Sequence, residues 1–149
     1  MGRKTRTQFG VVSNYVFSNA QVLTWPTAPF TLLQGVTGNV WLPQACWVEL
    51  NPWFADYTNV DGGATITLEF AGTTLFIPLN LPYFVTGILQ RGAAGGEMAT
   101  MARVKGVLSS MVNANLELHL NNGGAGNLTG GNAGNALHVR LFYSQYTLP

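Results

Sequence analysis

Charge is what this sequence has least of. Asp, Glu, Lys and Arg make up 9% of its 149 residues, where roughly 25% is usual in globular domains. Seven positive and six negative side chains leave a formal net charge of +1. A free monomer ordinarily stays soluble behind a mixed, charged surface, whereas the centres of protein interfaces are poor in charge and rich in Trp, Tyr, Phe and Met. So uncharged a chain points to a subunit covered by its neighbours. The alternative on composition alone is a small secreted β-domain with a neutral polar surface.

Cysteine is almost absent as well. Cys46 stands alone, which rules out an intramolecular disulfide framework. Set among Ala45, Trp47 and Val48, it reads as a buried thiol rather than a nucleophile. No run reaches about 18 apolar residues, so no transmembrane helix and no membrane partner are expected. The basic residues Arg3, Lys4 and Arg6 are not followed by an apolar run, because Asn14, Ser18, Asn19 and Gln21 interrupt it, and no signal peptide is expected. The sequon Asn127-Leu128-Thr129 therefore carries little meaning.

Catalytic and ligand-binding patterns are missing too. The Gly-rich segment joins two strands and lacks a following Gly-Lys-Ser/Thr, so it does not make a phosphate loop. No Gly-x-Ser-x-Gly elbow occurs, and neither histidine has a sequence-level Ser or Cys partner. The six acids nominate no glycosidase pair. Asp56, Asn59 and Asp61 with Gly62 offer oxygen ligands in one loop, without the spacing or closing Glu of a calcium-binding loop. No enzyme activity, cofactor or metal is expected.

What is present is strand. The 18 Gly and 7 Pro argue against long helices, and alternating apolar segments recur at short intervals, the sign of a sandwich or barrel. Ile66, Leu68 and Phe70 fall on one face of Thr65–Phe70, with Thr65, Thr67 and Glu69 on the other. A turn at Ala71–Thr74 then predicts a hairpin with Leu75–Ile77, which Pro78 ends. Cys46, Val48 and Leu50 form an inward set between Pro43 and Pro52, which turns Trp47 outward. Strands are expected near 9–17, 30–34, 38–42, 45–50, 64–70, 73–77, 99–108, 115–121 and 136–146, seven or eight of them real. The predicted fold is all-β, a two-sheet antiparallel sandwich of jelly-roll type. A basic arm over residues 1–10 precedes one domain over 11–149.

Two alternating segments near the C-terminus, Asn115–Leu120 and Ala136–Leu141, are predicted to pair as a long hairpin. With Leu120 opposite Leu137, Leu118 meets Val139 and Leu116 meets Leu141. The other face then pairs Glu117 with Arg140 and His119 with His138. Between them, Asn121–Asn135 holds six Gly and five Asn, and reads as either a mobile loop or one fixed by a neighbouring chain. A second Gly-rich run spans residues 90–96.

The candidate contact residues are the outward Trp47, Phe142 beside His138 and Arg140, and the arm cations Arg3, Lys4 and Arg6. Trp is favoured at subunit contacts, though the same ring can stack on a sugar. Three cations give modest nucleic-acid binding, so an arm lying across a neighbouring subunit is the preferred reading.

In length and texture the whole chain resembles small virion structural proteins, above all the decoration or cement proteins of bacteriophage heads. The features that carry the resemblance are few charges, one Cys, abundant Thr, Asn and Gly, a basic arm and Gly-rich loops. The resemblance implies a β-sandwich made in the host cytoplasm and resident in the virion. It would form a homo-oligomer, expected to be a trimer, and bind the major capsid protein or other virion subunits. A coat or tail-associated jelly-roll protein and a carbohydrate-binding module, using Trp47 or a neighbouring Trp as platform, are the alternatives.

Overall fold

A computed structural model describes residues 7–71, 76–78, 85–91, 97–100 and 111–148. In chain order its elements are β1 (Thr7–Ser18), α1 (Asn19–Thr24), β2 (Phe30–Leu33), β3 (Asn39–Leu50), β4 (Tyr57–Thr58), β5 (Thr65–Phe70), β6 (Phe76–Pro78), α2 (Val85–Arg91), β7 (Glu97–Thr100), β8 (Leu116–Asn121), β9 (Thr129–Gly130) and β10 (Ala136–Thr147). One four-stranded sheet runs β1-β10-β3-β7 and a second runs β2-β8-β5-β6. Every neighbouring pair is antiparallel. The chain is an all-β sandwich.

The order of strands follows from one operation. Apart from the short β4–β9 ladder, the strands pair first with last and inward from there: β1 with β10, β2 with β8, β3 with β7, β5 with β6. The chain thus runs out along four strands and returns along four, each lying on its outgoing partner. Successive pairs of this ribbon alternate between the two sheets, and the wrapping brings β10 against β3 and β8 against β5. The hairpin of β5 and β6 at the ribbon's tip is the one that alternation predicts.

Alternation also decides the core. Cys46, Val48 and Leu50 enter it from β3, with Leu137, Val139 and Leu141 from β10; Ile66, Leu68 and Phe70 enter from β5, with Leu116, Leu118 and Leu120 from β8. All belong to one buried cluster. One edge is closed by aromatics. Phe30 of β2 stacks between Phe17 at 3.8 Å and Trp25 at 4.8 Å between ring centroids, and Trp25 donates Nε1–H to the Leu118 carbonyl at 2.9 Å. Tyr15 of β1 donates its hydroxyl to the Leu32 carbonyl of β2, tying the two sheets together.

Several expectations are corrected here. The segments near 38–42 and 45–50 are one strand, β3. Pro43 does not end it, because the register shifts at that point, with Ala45 opposite Phe142 but Pro43 opposite Tyr143, and a bulge accommodates a residue that has no N–H. Residues 7–10, assigned above to the arm, belong to β1, where Thr7 lies opposite Tyr146. Two short helices appear among the described residues. In α2 the buried Val85, Ile88 and Leu89 have i, i+3, i+4 spacing, and Ser18 caps α1, its N–H reaching Gln21 Oε1 at 2.9 Å. Of the segment expected as a strand over 99–108, residues 99 and 100 lie in β7 and 101–108 lie outside the described residues, as do 92–96 of the second Gly-rich run.

The predicted C-terminal hairpin is also overturned. β8 lies between β2 and β5 in one sheet, and β10 lies between β1 and β3 in the other. Glu117 is opposite Glu69, His119 opposite Thr67, His138 opposite Glu49 and Arg140 opposite Trp47. Period-two patterning assigns the face of a strand, but any two alternating strands satisfy it equally. Central positions in separate sheets give each of these strands two hydrogen-bonded neighbours.

The Gly/Asn segment between them crosses from one sheet to the other and is fixed by its own chain. Asn122, 4% exposed, accepts from the Asp61 N–H and donates to the Asn59 and Gly126 carbonyls, each at 2.8 Å. Asn59 donates to the Ala125 and Asn127 carbonyls at 2.8 Å. Asn135, 2% exposed, accepts from the Phe54 N–H and donates to the Ala55 carbonyl, both at 2.8 Å. Leu128 buries its side chain and bonds the Leu23 carbonyl through its N–H. A carboxamide carries a donor and an acceptor as a peptide group does, so it satisfies loop backbone that no strand can reach. Gly131 must be glycine, since a Cβ there would lie 2.6 Å from Asn19 Oδ1 and Tyr57 Cε1.

Two measurements check this architecture. Burial pushes the Cys46 thiol up to about 12 from 9.0, so the folded chain should resist maleimide labelling in mildly alkaline buffer and label fully in denaturant. A raised thiol pKa contributes stability that is whole below pH 9 and lost as pH rises toward 12, so chemical denaturation midpoints should fall across that window. Asn135→Ala should lower unfolding free energy by about 1–3 kcal/mol, because the Phe54 N–H and the Ala55 carbonyl lose the partner that ties their loop down; urea titration measures it.

Candidate subunit interface

Strand alternation that buries Leu137, Val139 and Leu141 sends His138, Arg140 and Phe142 to the outer face of the first sheet. Register places their neighbours. Phe142 lies between Val12 of β1 and Ala45 of β3, Arg140 between Asn14 and Trp47, and His138 between Val16 and Glu49. Three rows cross three strands, and the outermost carries two apolar side chains in solvent: Val12 is 45% exposed and Val16 is 61% exposed. Large apolar groups on an edge strand are unusual, since edges are commonly blunted by charge.

Trp47 points outward, as its alternation predicts, and the middle row explains its half-buried state. The Arg140 guanidinium carbon sits 5.1 Å from the Trp47 ring centroid, a cation–π arrangement, while Arg140 Nε donates to Asn14 Oδ1 at 2.8 Å. The three side chains form a brace over three strands. Arg140 thus takes as partners an aromatic face and an amide, in place of the predicted Glu117. At the foot of the face Asn51 donates Nδ2–H to Glu49 Oε1 at 3.3 Å.

The structure therefore brings Trp47, Phe142, Arg140 and His138 together and moves Glu117 and His119 to the far side of the molecule. There His119 stands between two carboxylates, Nε2 at 3.0 Å from Glu117 and Nδ1 at 3.6 Å from Glu69. Thr67 donates to Glu69 at 2.8 Å. Both ring nitrogens face a carboxylate, so the imidazole bridges two like charges that register sets opposite each other. Among the described residues no group of three or more His, Cys, Asp and Glu is arranged to hold a metal ion. Arg3, Lys4 and Arg6 lie outside the described residues.

Val12 and Val16 escaped the sequence reading, although the signal was present. In Val11–Phe17, Val12, Asn14 and Val16 share one face, and the mixed polarity of both faces hid which one is buried. Trp53 and Phe54, 44% and 62% exposed, form a separate apolar corner. There Trp53 donates Nε1–H to Asp56 at 3.1 Å, and the Phe54 ring lies over Gly134. Asp61, weighed above as a calcium ligand, accepts from the Gly63 N–H at 2.7 Å. A groove of about 320 Å³ between α1 and β2 is lined by Gln21, Thr24 and the buried Phe17 and Phe30.

No protein-family model matches this chain, and no curated protein matches it. A solved structure titled "Capsid of Ralstonia phage GP4" aligns with 94% of this chain and 84% of that chain, at 17% identity and a TM-score of 0.36. A likeness at that level carries no argument about what this chain does.

The brace yields its own test. Arg140→Gln should uncover the Trp47 ring and raise its acrylamide quenching, at a stability cost of about 0.5–1 kcal/mol. Unchanged quenching would mean that the guanidinium does not shield the ring.

Proposed function

We propose that this chain is a structural subunit of a bacteriophage virion, of the decoration or cement type, which strengthens a shell by binding neighbouring subunits. The strand order supports the architecture. Eight strands paired first to last and wrapped into two sheets support a jelly-roll reading, an architecture that viral capsid and lectin domains share. A fold alone assigns no activity, so one surface carries the reading: the outer face of the first sheet, where Val12, Val16, Phe142 and Trp47 lie around a single arginine.

Such a face is adhesive in two ways. Its apolar side chains gain about 25 cal/mol for each Å² of apolar surface withdrawn from water, and the twelve-residue β1, at the end of its sheet among the described residues, can accept a further strand through main-chain hydrogen bonds. In this reading the partners are further copies of the chain, forming a trimer, and the major capsid protein or another virion subunit. The same surface serves a coat or tail-associated subunit. For the carbohydrate-binding alternative, Arg140 covers one face of the Trp47 ring, while Trp53 stays exposed.

Light scattering of the purified chain should give about 48 kDa, three times 16.0 kDa. The double variant Val12→Lys/Val16→Lys, altering exposed side chains with little expected effect on stability, should scatter as a monomer and melt with the wild type. A wild-type monomer at micromolar concentration would overturn the self-association, and a variant that remains trimeric would move the contact away from this face.

A further inference from the structure

Thirteen asparagines occur in the sequence, and one of them, Asn122, precedes a glycine. That pairing matters chemically. Glycine has no side chain to shield its backbone nitrogen, so the nitrogen can reach the preceding Asn Cγ and close a five-membered imide.

We propose that Asn122 is a deamidation site that the fold holds shut, so that the reaction runs on chains whose 121–127 loop is open. In the reaction the Gly123 nitrogen forms a bond to Asn122 Cγ and the Cγ–Nδ2 bond breaks. Nδ2 leaves as ammonia, carrying the proton from the Gly123 N–H. Water then opens the imide at either carbonyl, giving aspartate or isoaspartate. The net change is asparagine plus water to a carboxylate plus ammonia, with no oxidant or reductant.

Each participant is restrained in the folded chain. The Asn122 side chain is clamped at both ends, Oδ1 by the Asp61 N–H and Nδ2 by the Asn59 and Gly126 carbonyls, so Cγ cannot turn toward its own backbone. The attacking nitrogen is engaged too, its N–H donated to Asn121 Oδ1 at 3.2 Å. Position 123 is also closely packed, since a Cβ there would lie 2.6 Å from Asp61 Cγ. Residues in the loop gain access to one another only when the staple opens, and the rate should follow that opening equilibrium.

The product cannot rebuild what it lost. A carboxylate at position 122 has no N–H for the Asn59 and Gly126 carbonyls, and it sets a negative charge beside Asp61. Carbonyls stripped of the donors that bridged them weaken a fold. The step is therefore a one-way mark on chains that lingered open, separating them from subunits that closed promptly. Asn135 makes an equivalent staple between loops, but Ala136 follows it, so it serves as an internal control.

The test uses the full chain, incubated in mildly alkaline buffer with and without unfolding urea. Peptide mass spectrometry locates the mass gain of amide-to-acid conversion. In urea, Asn122 should convert ahead of the other asparagines, Asn135 included; in buffer its conversion should slow by about a hundredfold or more, in proportion to loop opening. Equal rates in the two conditions would overturn the proposal, as would conversion in urea spread evenly over all asparagines. Asn122→Asp should melt below the wild type and lose amide-exchange protection over 121–127. A variant with wild-type melting and protection would refute the one-way mark.

Discussion

Two rows of aliphatic side chains set the terms for this molecule. Leu116, Leu118 and Leu120 enter the core from β8, and Leu137, Val139 and Leu141 enter it from β10. Each row belongs to the middle of a different sheet, so both strands can bury one whole face and satisfy their backbone on both sides. The ribbon wrapping follows from that requirement. Once β8 and β10 are separated, the fourteen residues between Asn121 and Ala136 must climb from one layer to the other, and everything at that end of the sandwich is organised around the crossing.

That crossing marks the boundary of what alternation reveals. The inward sets in β3 and β5, the outward Trp47, the hairpin of β5 with β6 and the two-layer all-β architecture were all readable from period-two patterning. Partner choice was not. Glu117 and Arg140 have complementary charge and compatible positions in a hypothetical register, yet the energy of such a pair is a few tenths of a kcal/mol, far below what burial of the leucine rows supplies. Pro43 misled for a related reason. A proline ends a regular ladder, but a bulge opposite Phe142 and Tyr143 lets β3 pass through it.

The candidate site was half readable. Trp47 and Phe142 were nominated as contacts, with His138 and Arg140 as Phe142's neighbours on the polar strand face, and the structure sets all four on one surface. Val12 and Val16 were hidden because β1 carries polar and apolar residues on both of its faces, so alternation did not single out the one turned to solvent. The Asn-rich loop was misjudged through composition. Glycine and asparagine read as flexibility when counted, but Asn59, Asn122 and Asn135 each bond backbone of another segment. At the opposite end of the sandwich Asn113 and Asn115 do the same for Gly38 and Gly35, at 2.7 Å each. Sequence composition gives no hint of which carbonyl an amide will meet.

These joints are neutral. Ion pairs at a surface weaken as counterions crowd around them, with screening over about 8 Å at physiological ionic strength, whereas an amide clasping a peptide group has no net charge to screen. A body fastened by carboxamides keeps its shape in dilute water and in concentrated brine alike. The proposed grip on neighbours, resting on valines, a phenylalanine and a tryptophan, would be strengthened rather than loosened by salting-out ions.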